Sequence, residues 1–96
     1  MVARNLHLGH LELDLVVRKE RVIAVVEVRC RGHGAWTTGL GSLTEAKRHK
    51  IRRAGERLWQ RRYRSDTSVD RLRFDAASVQ FDADGVASVE YVTAAF

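Results

Sequence analysis

The chain has 96 residues, 45% of them hydrophobic and 30% charged, which is the make-up of one folded domain with a modest core rather than a disordered segment. No apolar run approaches the roughly 20 residues of a membrane span, and the opening Met1-Val2-Ala3-Arg4-Asn5 has no signal-peptide core, so a cytoplasmic protein is expected. A net charge of +5 is unevenly spread: residues 47–64 hold nine Lys or Arg against the single acid Glu56, giving that segment +8 and leaving the remainder at −3.

Val2 to Leu8 is a strand candidate, with Leu6 and Leu8 alternating against His7, and Gly9 permits a tight turn or bulge after it. The next strand begins at Leu11. Strict alternation would set Leu11, Leu13 and Leu15 on one face and Glu12, Asp14 and Val16 on the other. Four charged residues, Arg18 to Arg21, make a polar turn into Val22-Ile23-Ala24-Val25-Val26-Glu27-Val28-Arg29, apolar on both faces until Glu27. That pattern predicts a central strand.

The acids on these two strands stand out. Glu12 and Asp14 share a face, Glu27 and Arg29 repeat the spacing, and carboxylates set among Val and Leu need a reason. Two reasons are open. The acids either converge on a divalent cation or pair with Arg4, Arg29 and Arg73 in a structural network. His7, His10, His33 and His49 lack zinc-ligand spacing, and the lone Cys30 excludes an internal disulfide.

Residues 31–41 form a loop with glycines at 32, 34, 39 and 41, too irregular for a phosphate-loop fingerprint. Trp36 within it either packs on the core or stacks on a base. Ser42-Leu43-Thr44-Glu45 has capping-box spacing, and Leu43, Ile51, Ala54 and Leu58 recur at helical intervals, predicting one helix from about Leu43 to Tyr63. Lys47 interrupts the apolar stripe of that helix. The basic residues on its other faces are either a polyanion-binding surface or simply solvated. Ser65 to Ser68 connect to a strand over Arg71 to Phe81, Asp82-Ala83-Asp84-Gly85 is a hairpin turn, and Val86 to Val92 is the last strand. The order of elements predicts one α/β domain over residues 1–96. Its mixed sheet should begin as an antiparallel hairpin, and the long helix should return a parallel strand by a right-handed crossover.

Asp14, then Glu27-Val28-Arg29 thirteen positions on, resembles the Asp…Glu-x-Lys core of restriction-endonuclease-like nucleases. The chain is similar to the YraN-like family of bacterial proteins, related to archaeal Holliday-junction resolvases. The matching residues are Arg4-Asn5, Glu12-Leu13-Asp14-Leu15, Val25 to Arg29 with Arg31, Lys47, Arg73-Phe74-Asp75 and Val89 to Phe96. The resemblance implies a restriction-endonuclease-like domain that binds DNA and cleaves it with Mg²⁺ or Mn²⁺. Glu12, Asp14, Glu27 and Arg29 would be catalytic, and Asp14 and Glu27, with Glu12, would hold metal. Arg31, Lys47, Arg48, Lys50, Arg52, Arg53 and Arg57 would contact nucleic acid. The alternative is a binding or assembly module that keeps the fold without the chemistry. Three features depart from the family pattern: Leu11 precedes Glu12 where relatives have glycine, Arg29 replaces the lysine, and Met1 lies just before Arg4-Asn5, where relatives carry a helix bearing a glutamate. That missing helix leads to the expectation of a homodimer covering the exposed sheet face, or of a start assigned too late.

Overall fold

The computed structural model describes residues 1–31 and 44–96; the glycine-rich loop, Trp36, His33, Ser42 and Leu43 lie outside the described residues. Five strands build one sheet in sequential order: β1 (Ala3–Leu8), β2 (Leu11–Lys19), β3 (Val22–Arg31), β4 (Arg71–Phe81) and β5 (Ala87–Val92). β1–β2, β2–β3 and β4–β5 pair antiparallel, and β3–β4 is parallel. The predicted mixed α/β sheet is therefore the observed one, with β3 at its centre. A parallel return demands a crossover, and the helix α1 (Glu45–Leu58) supplies it.

α1 forms because its apolar residues fall on one stripe. Ile51, Ala54, Gly55 and Leu58 are buried, and Thr44, extended at φ −66° and ψ 159°, caps the start by accepting from the Lys47 N–H at 3.2 Å. The cap is thus Thr44, two residues later than the expected Ser42 box. The single helix to Tyr63 is also corrected, since from Trp59 to Tyr63 the backbone widens into a π-helical turn in which the Arg64 N–H bonds the Trp59 carbonyl at 2.8 Å. The wider turn accompanies burial of Tyr63 beside Trp59, their ring centroids 6.4 Å apart. Leu58 is fully buried at the centre of the helix–sheet core, so Leu58→Ala should cost on the order of 2–5 kcal/mol.

That core joins α1 to Leu11, Leu13, Val16, Ile23 and Val25, while Leu15, Val17, Ala24, Val26 and Val28 form a smaller cluster on the opposite face. The expected alternation of β2 is therefore broken. Leu11 and Leu13 face the helix, but so does Val16, and Leu15 faces away. β1 shifts in step: Leu8, Leu6 and Ala3 all pack against the helix-side core. The register passes from Arg4–Leu15 to Leu6–Leu13, and Asn5 between them adopts φ 50°, a left-handed backbone open to asparagine at modest cost. Both strands change phase together, opposite Asp14. Away from the site, Arg21 bonds Asp70 and the Thr67 carbonyl, and Arg18 bonds Ser68, fastening the β2–β3 turn to the segment entering β4.

Candidate functional site

Glu27 continues the helix-facing set of β3, after Ile23 and Val25, and its side chain is 4% exposed. Asp14 follows Leu13 at the phase change of β2, and this directs its carboxylate into the helix side of the sheet. Its Oδ2 accepts the Val28 N–H at 3.2 Å. Both carboxylates line one pocket of about 220 Å³ together with His10, Leu11, Glu12, Lys47, Lys50 and Ile51. The pocket opens at the carboxyl end of β3 beside the first turns of α1. This is the end of a parallel pair where α/β folds place ligands.

The electrostatics centre on Glu27. Lys47 Nζ lies 3.0 Å and Arg29 Nη2 3.4 Å from Glu27 Oε1, and among the described residues this buried oxygen closes no well-aligned hydrogen bond. Burial pushes the Glu27 carboxyl above the ordinary glutamate range; the Lys47 ammonium pulls it partly back, and the negative Asp14 pushes it up again. A buried carboxylate whose cations contact it without closing its hydrogen bonds is the kind of oxygen a small hard cation can take. Asp14 and Glu27 are the residues of the pocket that could hold such an ion. Glu12 is exposed and lines the pocket, but among the described residues no three acidic, histidine or cysteine side chains converge closely enough for a three-ligand cage.

The basic residues grouped by sequence separate in space. Lys47 and Lys50 line the carboxylate pocket. Arg57 donates to the Leu8 carbonyl at 3.2 Å, and the Arg52 guanidinium lies 5.8 Å from the centre of the Phe96 ring. Arg48 has its Nε buried without a hydrogen-bond partner. Arg53 and Arg57, with Glu56, Gln60 and Arg61, line a separate groove along the helix. The Arg31 side chain lies outside the described residues. So the expected surface resolves into two lysines at the site and an arginine groove behind them, while Arg52 and Arg57 also have structural contacts.

Comparison with known proteins shows the family of the chain. The model of the uncharacterised protein family UPF0102 matches residues 1–79. The chain belongs to the UPF0102 family. It is 50% identical over all 96 residues to the UPF0102 protein sce2912 of Sorangium cellulosum, covering 67% of that protein. It is 38% identical over 73 residues to a UPF0102 protein of Alkalilimnicola ehrlichii, covering 55% of it. It is also 33% identical over 77 residues to UPF0102 protein YraN of Escherichia coli, covering 80% of the chain and 58% of that relative. The chain thus spans between about half and two thirds of these UPF0102 relatives. The YraN-like resemblance is borne out, and the mixed sheet with one crossover helix is consistent with the restriction-endonuclease-like architecture expected from it.

Sequence reasoning missed two features. One is the contact of Lys47 with Glu27, for which the charged residue inside an apolar helical stripe was the available signal. The other is a cluster around the buried Asp75 of β4, reached from Tyr91 of β5 and from Ala94 just beyond it. Asp75, fully buried, accepts from Arg73 Nε at 2.8 Å and Nη2 at 2.9 Å, from the Ala94 N–H at 2.9 Å and from the Tyr91 hydroxyl. Arg73 is therefore bound to Asp75. Of the ion-pair network weighed for the three acids, the Arg29–Glu27 contact is present. No helix among the described residues is long and apolar enough to cross a membrane.

Proposed function

We propose that this UPF0102 protein binds DNA along the first turns of α1 and hydrolyses a phosphodiester at the Asp14–Glu27 pocket with a divalent cation, Mg²⁺ or Mn²⁺. The observation that carries this reading is the convergence of Asp14 and a buried Glu27 beside Lys47 and Lys50 in one pocket. Structural ion pairs do not require two carboxylates to share a cleft lined by lysines.

Asp14 and Glu27 would hold the cation, with the carbonyl of Val28 as a further oxygen and Glu12 at the rim for an outer-sphere water. Bound there, a divalent ion supplies Lewis acidity toward the phosphate and lowers the pKa of a coordinated water. The chain's own residues do the rest. Lys50 and the α1 N-terminus attract the anionic backbone, and Arg29 contributes a fixed positive charge beside the reacting phosphate. Arginine stays protonated at any working pH, so Arg29 stabilises charge and does not act as a base. The arginines lining the groove behind the pocket extend the contact along the strand.

The test is nicking of supercoiled plasmid and of branched DNA in Mg²⁺ or Mn²⁺. Asp14→Ala and Glu27→Ala should each abolish it, and cleavage that survives both substitutions would remove this pocket from consideration. A second reading, a DNA-binding module without cleavage, is favoured by the exposed position of Glu12 in the lining of the pocket. It predicts salt-sensitive binding with no nicking in either metal and no Mn²⁺ uptake.

A further inference from the structure

Lys47 stands at a place where helix packing calls for an apolar side chain. It is one turn before Ile51 on the stripe that continues through Ala54 and Leu58 into the core. Its side chain remains 42% exposed, and its ammonium reaches back 3.0 Å from Glu27 Oε1. Arg29 is a poorer partner: it is farther, at 3.4 Å, and its Nε is buried without a hydrogen bond. Lys47 also belongs to the same pocket lining as Asp14 and Lys50. The carboxylate pair thus carries a positive charge of its own, on a flexible stem anchored in the first turn of a helix.

We propose that Lys47 is the exchangeable counter-cation of the Asp14–Glu27 pair: a divalent cation takes its place on Glu27, and the released ammonium turns to a nucleic-acid phosphate beside Lys50. The inference rests on the reading of the pocket as a metal and DNA site, and it adds a coupling between the two ligands. A divalent cation on Glu27 repels an ammonium held 3.0 Å from the same carboxylate, and in a partly buried pocket that repulsion exceeds what it would be in bulk water. The lysine stem is flexible and its head is already near solvent, so the ammonium can leave without unfolding the helix turn. An ammonium freed at the mouth of the pocket lies among charges that attract phosphate. Binding of metal therefore strengthens binding of DNA, and by linkage DNA strengthens binding of metal by the same factor. No proton moves; one cation is exchanged for another.

The experiment measures Mn²⁺ binding by the loss of the free-ion paramagnetic resonance signal, and DNA binding by fluorescence anisotropy of a labelled duplex with and without Ca²⁺ at fixed ionic strength. In the unaltered protein, Ca²⁺ should tighten duplex binding about fivefold, the lower end of ordinary coupling between sites. Lys47→Met keeps the stem and removes the charge, so it should bind Mn²⁺ about tenfold more tightly and show a smaller Ca²⁺ enhancement. Lys47→Arg keeps the charge and should bind Mn²⁺ no more than a few-fold differently from the unaltered protein. Mn²⁺ binding that is unchanged or weakened in a folded Lys47→Met variant overturns the exchange. So does a Ca²⁺ enhancement that survives it undiminished. If the unaltered protein takes up no Mn²⁺ that Glu27→Gln removes, the reading of the pocket itself fails, and the exchange falls with it.

Discussion

Removal of the Asp75 carboxylate should be among the most damaging single changes outside the helix–sheet core. Four donors converge on this fully buried group: two from Arg73, one from Tyr91 and the Ala94 N–H. Asp75→Ala leaves all four without their acceptor and strands the Arg73 guanidinium. Breaking a buried pair by deleting one partner costs about 3–5 kcal/mol. Arg73 is 25% exposed and can turn toward water, which places the expected loss near the lower end, about 3 kcal/mol. With a urea slope of roughly 1.5 kcal/mol/M for a small domain, the unfolding midpoint should fall by about 2 M. Asp75→Asn keeps the shape and one acceptor oxygen, so it should lose less. Burial pushes the Asp75 carboxyl up, but Arg73, Tyr91 and the Ala94 N–H together hold it below the ordinary aspartate range. A depressed folded value means that the stabilisation is complete above the unfolded aspartate pKa and disappears as pH falls through the folded one. The gap between the parent protein and Asp75→Asn should therefore be constant near neutrality and shrink below about pH 4. Urea titrations at pH 7 and in acid decide the matter. An Asp75→Ala midpoint within about 0.5 M of the parent at pH 7 would refute the reasoning, because about one quarter of the expected penalty is too little for four stranded donors.

Three further outcomes follow from the same structure. Burial and the Asp75 carboxylate raise the Tyr91 hydroxyl to about 12, so absorbance titration of the parent should show a tyrosine ionising near there, and the step should vanish in Tyr91→Phe. Because this folded value lies above the unfolded one, its contribution to stability is present below about pH 10 and is lost between there and about 12. Gly9 and Gly85 both have positive φ, 68° and 79°, but a Cβ on Gly9 would stand 3.2 Å from Arg57 Nη1, whereas one on Gly85 meets nothing within 4 Å. Gly85→Ala should cost about 1 kcal/mol of left-handed strain, and Gly9→Ala about 1 kcal/mol more through the displaced Arg57 bond to Leu8; equal urea midpoints would contradict this. Glu27→Gln in the presence of a chelator should leave stability unchanged or raise it at pH 7.5, since burial disfavours the charged form of Glu27; a loss above about 2 kcal/mol would show that the Lys47 and Arg29 contacts are structural cement.

The strands were legible because two-residue alternation, Arg18–Arg21, Asp82-Ala83-Asp84-Gly85 and the β-branched run of β3 all agree with one another. Consistency among local signals of this kind specifies a sheet before any tertiary contact is known. The helix end was not legible, since Trp59 to Tyr63 are ordinary helix formers, and only packing of Tyr63 against the core favours the wider turn. Nor was the fate of Arg52 and Arg57. A helix sequence shows which side chains are charged, but not that Leu8 offers a carbonyl to one and Phe96 a ring to the other. Arg73-Phe74-Asp75 was visible only as part of a resemblance, because the partners that explain it, Tyr91 and Ala94, stand 16 and 19 residues beyond Asp75.

The site became visible where the local rules fail. Strict alternation would have sent Asp14 to the face opposite Leu13; the joint phase change at Asn5 and Asp14 puts both on the helix side without losing the register of the pair. Regular helix patterning would have put an apolar residue at position 47; the lysine there leaves a gap in the stripe and fills it with an ammonium aimed at Glu27. Each exception costs stability on its own, one through left-handed backbone at a non-glycine residue and the other through an ionised group beside the core. The two meet in a single pocket from separate elements, β2 and α1, and packing alone supplies no reason for that coincidence. The proposed function would supply one, because an acid turned inward and a cation brought up to meet it suit the binding of a second, exchangeable cation. The pair should therefore behave as a unit. Asp14→Ala combined with Lys47→Met should change Mn²⁺ affinity by much less than the sum of the two single effects, and strict additivity in that cycle would mean that the two exceptions are independent.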